Sequence, residues 1–253
     1  MQFRRQRDMI DPNLVHFLQR YDQIVGGKLN RHFPGFRFAT RMRDWELYQV
    51  FSRLPQDNRS MRIMDTGAYS TYTALFLEEL SEHVVISDHF GWAQRLEYTA
   101  QSVITPLDEW KTVIRTCSPK VAIQDIDLTA IPCADNTFDY ITCISTMEHT
   151  ANPRKALEEM IRCVKPGGRV LITTDHSPRG VPFDGNDRFF SMRQLRRLFH
   201  GCRDCSPDVP PDYAQENWCY NRPDQSILIL FVEIEKPLDG SQPAAKSWWR
   251  FWA

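Results

Sequence analysis

The chain carries no surplus of positive charge: 31 Lys and Arg stand against 32 Asp and Glu in 253 residues, a formal net charge of -1. That excludes the basic balance by which dedicated nucleic-acid binders neutralise phosphates, so no nucleic-acid partner is expected. Long apolar runs are missing too. Stretches such as ILILFV at 227–232 fall far short of the ~20 residues that a membrane-crossing helix requires. The opening MQFRRQRDMIDP is basic but has no apolar stretch of the kind a secretory signal needs, and a cytoplasmic location is the expectation. Seven cysteines, an odd count in a chain this long, argue against a disulfide framework. His200, Cys202, Cys205 and Cys219 have a spacing that zinc can use, but a second C-x-x-C is absent; reduced thiols are expected and no metal site is assigned. Glycine is sparse where it would say most. Residues 61–65, MRIMD, look like a buried strand, yet the turn after them holds one glycine, Gly67, with Tyr69 and Thr71 where small residues are usual. The three-glycine signature of a pyrophosphate-binding loop is therefore lacking.

What is present is a rhythm. Residues 1–60 read as helical and irregular, with a helix over 44–54 whose Leu47, Val50, Phe51 and Leu54 share a face, Asp44 as its N-cap and Pro55 as its stop. From 61 onward strands alternate with helices: strands at 61–65, 83–88, 120–126, 138–145 and 169–175, helices at 71–80, 105–116, 153–164 and 191–199, and a last strand at 227–235. Thr105 is read as a cap with Pro106 in the first helical position. KPGG at 165–168 stops one helix before the next strand. Such alternation points to a parallel sheet covered by helices on both faces.

One block is more specific than the glycine turn: DLTAIPCADNTFDYITCISTMEHTANPRKALEEMIRCVKPGGRVLITT at 127–174. An acidic residue leads to Ile-Pro, then an Asp-Asn-x-Phe-Asp strand, a Glu-His turn and a helix ending in Lys-Pro-Gly-Gly. Over about residues 60–175 the chain resembles class I S-adenosylmethionine-dependent methyltransferases of the small-molecule type. The resemblance implies a Rossmann-like, doubly wound α/β fold with a mostly parallel seven-stranded sheet, here with an N-terminal helical extension. It divides the chain into a helical arm at 1–59, a cofactor-binding domain at 60–238 and an aromatic tail at 239–253. It implies S-adenosyl-L-methionine as cofactor. Asp65, Thr66, Gly67, Ala68 and Tyr69 then form the loop around its amino-acid end, which carries no phosphate and so demands fewer glycines. Asp88, followed by His89, accepts the ribose hydroxyls, a two-point contact suited to a carboxylate. Asp127 accepts from the adenine amine, with Asp125 as its competitor, Leu128 meets the ring, and Ser145 lies beneath the cofactor.

Methyl transfer from a sulfonium mainly needs orientation and exclusion of water, and an oxygen acceptor must also lose a proton to a base. The candidates are Glu148, His149, Asp175 and His176; His176, after the fifth strand, is the expected base, with Asp175 orienting it or binding substrate and His149 more structural. Asp184 and Asp187 are read as sugar or cation contacts or a solvated loop. Trp45, Tyr48 and Trp92 frame a mouth or pack in the core, and Arg37, Arg41 and Arg43 form a basic arm. The expected acceptor is a small molecule or a sugar unit of a glycan precursor, methylated on oxygen; a non-catalytic cofactor-binding module is the alternative. The tail, with SWWRFWA at 247–253, holds apolar surface costly to leave in water. It packs on the domain, docks on a partner or a second copy, or rests at a membrane interface.

Overall fold

Successive residues of a strand face opposite sides of a sheet, and the strands here are apolar on both sides. The computed structural model describes residues 1–4, 8, 10–36, 43–91, 105–182, 188–209, 211 and 227–238. Its elements run β1 (Gln2–Phe3), α1 (Pro12–His32), α2 (Asp44–Phe51), β2 (Arg62–Thr66), α3 (Thr73–Leu80), β3 (His83–Asp88), α4 (Leu107–Cys117), β4 (Ala122–Asp125), β5 (Phe138–Ile144), a 3-10 turn (Met147–His149), α5 (Pro153–Cys163), β6 (Val164–His176), α6 (Met192–Leu198), β7 (Arg203–Asp204) and β8 (Leu228–Glu235). The sheet order is β1-β8-β6-β5-β2-β3-β4, with β7 paired beside β8. The neighbours from β6 to β4 are parallel, and β8 is antiparallel to β6 over eight residue pairs. This is the mostly parallel, Rossmann-like sheet that the motifs imply. The strand order reverses between β2 and β5.

Ile63, Leu171, Ile229 and Phe231 face a core shared with α1, α2, α3 and α4. Their neighbours Met64, Val170, Ile172, Leu230 and Val232 face a second core with α5 and α6. Helix α1 exists because Asp11 caps the Asn13 amide at 2.8 Å, Pro12 starts the first turn, and Leu14, Phe17, Tyr21, Val25 and Leu29 make one buried stripe. Tyr21 and Phe17 meet Phe76 of α3 at ring distances of 5.1 and 5.7 Å. The N-terminal helices thus share the core of the sheet.

Four local expectations need correction. Asp44 does not cap α2: Arg43 holds the cap position without a side-chain bond, and Asp44 sits in the first turn, where the helix dipole favours a carboxylate. Thr105 does not cap α4, whose cap position is Pro106. Its carbonyl instead accepts from the Tyr69 hydroxyl at 2.7 Å, and its hydroxyl meets that of Tyr72 at 3.1 Å. Not all thiols are reduced: Cys133 and Cys163 form a disulfide across a Cα separation of 6.6 Å. The loop before β5 is folded onto the end of α5, because Arg162 donates to the Ile131 and Cys133 carbonyls, at 2.8 and 2.7 Å. KPGG, read as a turn, lies at the start of β6 as a bulge: pairing passes from Phe138↔Val164 directly to Tyr140↔Arg169.

Candidate functional site

In an open parallel sheet the crevice for a ligand lies beyond the carboxyl ends of the strands where their order reverses, here at the ends of β2 and β5. Gly67 follows β2 with φ +70°, and a β-carbon on it would stand 1.9 Å from Thr146 Oγ1. Glycine is therefore required twice, by its backbone angle and by the approach of the loop after β5. Asp65 is buried, and its two oxygens accept from Thr73 Oγ1 at 2.5 Å and Thr142 Oγ1 at 2.6 Å. Burial pushes its pKa up to about 6 against the lowering effect of those hydroxyls. Asp65 thus ties β2 to β5 and to the start of α3. Thr66 Oγ1 donates to the Thr142 carbonyl at 2.9 Å, and the Ala68 amide to the Ser87 carbonyl at 3.0 Å.

Tyr69 turns its bulk into the core. It is 3% exposed, its ring meets Trp110 at 5.4 Å and Phe90 at 6.3 Å edge-on, and its hydroxyl is held by Thr105. Its amide donates to Asp88 Oδ2 at 3.1 Å. Asp88, at the end of β3, thereby anchors the glycine turn. It pairs in register with Asp125 of β4. The Asp125 carboxylate accepts from the Phe90 amide at 3.1 Å and stands 3.6 Å from His89 Nδ1. Asp127 is exposed; Thr129 donates to it from its amide and hydroxyl, both at 2.8 Å, holding its pKa below the usual carboxylate range. Leu128 beside it is 8% exposed. Asp65, Asp88 and Asp127 therefore belong to three adjacent strand ends on one rim.

Beyond β5 the rim becomes a cluster of buried carboxylates. Ser145 has φ +43°, and its amide donates to Thr173 Oγ1 at 3.0 Å. Glu46 comes down from α2, 1% exposed; its Oε1 accepts from Ser145 Oγ and, at 2.8 Å, from Thr173 Oγ1. Arg43 lies 3.3 Å from the same oxygen. Glu148 is buried from the other face and accepts from Thr174 Oγ1 at 2.7 Å. Burial raises its pKa, while His149 and Arg43 pull it down. Asp175 is buried, 3% exposed. His176 is fully buried; its Nδ1 stands 2.7 Å from the Phe190 carbonyl, and burial lowers its pKa. His149 is exposed at the end of the 3-10 turn.

Glu46 escaped the sequence reading, which saw in its helix only the apolar face. Trp45, read as framing a mouth or packing in the core, is a core residue at 1% exposure, and Tyr48 packs on Phe17 at 5.7 Å. Trp92, Asp184, Asp187, Arg37, Arg41, Cys219 and the tail from 239 lie outside the described residues. Among the described residues no group of three or more His, Cys, Asp or Glu side chains is gathered as metal ligands would be. Nor is any helix among them long and apolar enough to cross a membrane.

A family described as a methyltransferase domain matches residues 38–210, more than half of the chain and including α2. A demethylmenaquinone methyltransferase of Renibacterium salmoninarum is 42% identical over 69 residues, 27% of this chain and 29% of that protein. The chain spans less than half the length of the curated relatives it matches. Among solved structures, the Burkholderia thailandensis 1,6-didemethyltoxoflavin-N1-methyltransferase, with S-adenosylhomocysteine bound, superposes over 94% of this chain and 92% of its own at a TM-score of 0.51 and 16% identity. The geranyl diphosphate C-methyltransferase of Streptomyces coelicolor A3(2) covers 78% of this chain and 81% of its own, with a TM-score of 0.56 and 14% identity.

Proposed function

This chain belongs to the methyltransferase domain family and has its class I, S-adenosylmethionine-dependent fold; on that premise we propose that it transfers a methyl group from S-adenosylmethionine to a hydroxyl-bearing small molecule or sugar unit. The cofactor supplies a methyl already activated by sulfonium charge. The residues fit it: a turn with no room for a side chain at Gly67, the Asp88 carboxylate one strand over, and Asp127 with apolar Leu128 on the next. In this reading Asp88 receives the ribose hydroxyls, Asp127 the adenine amine, and the Gly67 turn the amino-acid end. Asp65 acts through the turn, since both of its oxygens are taken by threonines.

The observation that carries the acceptor side is Glu148, a buried carboxylate in the 3-10 turn after β5 whose affinity for a proton is raised by burial. Such a group is suited to accept the hydroxyl proton as the methyl arrives. We place it ahead of His176, first read for that role, whose imidazole is fully buried and whose pKa burial lowers. Asp175 and Glu46 line the same rim from the other face and orient the acceptor.

A second reading is favoured by the curated relatives, several of which are named demethylmenaquinone methyltransferases: the methyl goes to a carbon made nucleophilic by loss of the neighbouring hydroxyl's proton. Both readings use one base. The test is transfer of labelled methyl to acceptor extracts by the full chain and by Glu148→Gln. Transfer should fall by about 10²–10⁴-fold in the variant with cofactor affinity unchanged; equal transfer would remove Glu148 from the chemistry. Hot hydriodic acid releases label from an O-methyl ether and leaves a C-methyl in place, which separates the two acceptors. Cofactor binding without transfer to any acceptor would favour a non-catalytic module.

A further inference from the structure

A surface cavity of about 600 Å³ opens between α5 and α6, away from the glycine turn. It is lined by Arg154, Arg193, Arg196, Arg197 and His200, with no carboxylate among them. In a chain of net charge -1 this is a marked local asymmetry. Arg154 is a structural post: it donates to the Leu198 and His200 carbonyls at 2.9 and 3.2 Å and pairs with Glu158. Arg193 and Arg197 are different. Both are exposed, and neither forms an ion pair with a carboxylate among the described residues.

The segment leading into α6 is tied to the acceptor rim. The Phe190 amide donates to the Asp175 carbonyl at 3.1 Å, which fixes the chain entering α6 to the end of β6. Arg188 donates to the Thr150 and Ala151 carbonyls, at 2.8 and 3.0 Å, just ahead of α5. The lining residues are all Arg or His, donors suited to anionic groups. Among the described residues no Phe, Tyr or Trp lines it, and the chain as a whole has no basic surplus of the kind nucleic-acid binders show.

We propose that this cationic face docks on an anionic phospholipid surface, which sets the acceptor rim beside the bilayer. Clustered Arg and Lys are drawn to such a leaflet, each by an amount that falls within a Debye length. The sequence adds matching chemistry in SWWRFWA, since Trp beside basic residues suits a membrane–water interface. The inference does not depend on whether the acceptor is methylated on oxygen or carbon.

The experiment is co-sedimentation of the full chain with vesicles of phosphatidylcholine alone or mixed with phosphatidylglycerol, with thermal unfolding as the control for folding. The chain should bind the mixed vesicles, ignore the neutral ones and be released by salt. Arg193→Gln with Arg197→Gln should weaken binding by about 30-fold, taking about fivefold for each charge, while Lys at both positions retains it. Equal binding to both vesicles, binding to neither, or an unchanged Gln variant would overturn the proposal. So would a stronger preference for single-stranded RNA than for the mixed vesicles.

Discussion

Placing alanine at position 67 isolates what the glycine turn needs. With φ +70° the new residue would sit in the left-handed region, which costs roughly 1–2 kcal/mol for an L side chain. Its β-carbon would also meet Thr146 Oγ1 at 1.9 Å, Cγ2 at 2.6 Å and Cβ at 2.7 Å. Rotating Thr146 clears the first two atoms but not the third, so backbone must shift. Overpacking of this kind typically costs about 1–3 kcal/mol. Gly67→Ala should therefore lose about 2–5 kcal/mol of unfolding free energy, read by denaturant titration. Calorimetric affinity for S-adenosylmethionine should drop at least about tenfold, because a loop displaced by fractions of an ångström no longer fits its ligand. Thr146→Gly removes all three clashing atoms and leaves the backbone angle alone. In a double-mutant cycle the pair should recover about 1–3 kcal/mol of coupling and retain the left-handed penalty. A Gly67→Ala protein within about 0.5 kcal/mol of the parent, the tolerance of such comparisons, would refute the reasoning. So would full recovery in the double variant.

Asp65 should make stability depend on pH. Its folded pKa, about 6, stands above the unfolded value of about 3.9, so its contribution is complete below pH ~4 and is lost as pH rises through ~6, by about 3 kcal/mol. Asp65→Asn should lack that decline, and identical pH profiles for the two proteins would contradict it. Tyr69→Phe should cost about 1 kcal/mol for the bond to Thr105 and leave cofactor affinity unchanged; a tenfold loss would mean the hydroxyl serves the ligand. Asp88→Ala should weaken S-adenosylmethionine binding by roughly 10–100-fold, combining a lost charge-assisted contact with the lost anchor for the Tyr69 amide, as measured by calorimetry. Glu46→Gln should raise KM for the acceptor more than it lowers kcat if the residue orients rather than reacts, and a selective fall in kcat would reverse that assignment.

The alternation of strands and helices was legible because each element carries its own period. The strand at 83–88 was read to the residue, and α5 to within one. Helix α1 was legible in principle, with Asp11-Pro12 opening it and a clear stripe behind, but Gly26 and Gly27 blunt its helical signal by about 1 kcal/mol each. Packing on Phe76 outweighs that deficit. Glu46 could not be read. Between Trp45 and Leu47 it looks like a solvent-facing residue, and its burial is decided by Ser145 and Thr173, 99 and 127 positions away. Tyr69 was misleading for a related reason: proximity to the turn in sequence says nothing about which side of the turn a ring takes. The disulfide depends on the loop before β5 meeting the end of α5 across 30 residues, which no spacing encodes.

Strand β8 sits between β6 and the two-residue β1, so the middle of one half of the sheet is made of residues near opposite ends of the chain. During synthesis β6 emerges long before its antiparallel partner. Until residues 228–235 leave the ribosome, β6 presents an unpaired apolar edge, and the core beneath α5 and α6 lacks Leu228, Leu230, Val232 and Ile234. Bare edges of this kind invite pairing between chains. The nascent protein is thus most exposed to self-association from the emergence of β6 until β8 has cleared the ribosome, and a chain stalled in that interval should be a preferred client for chaperones.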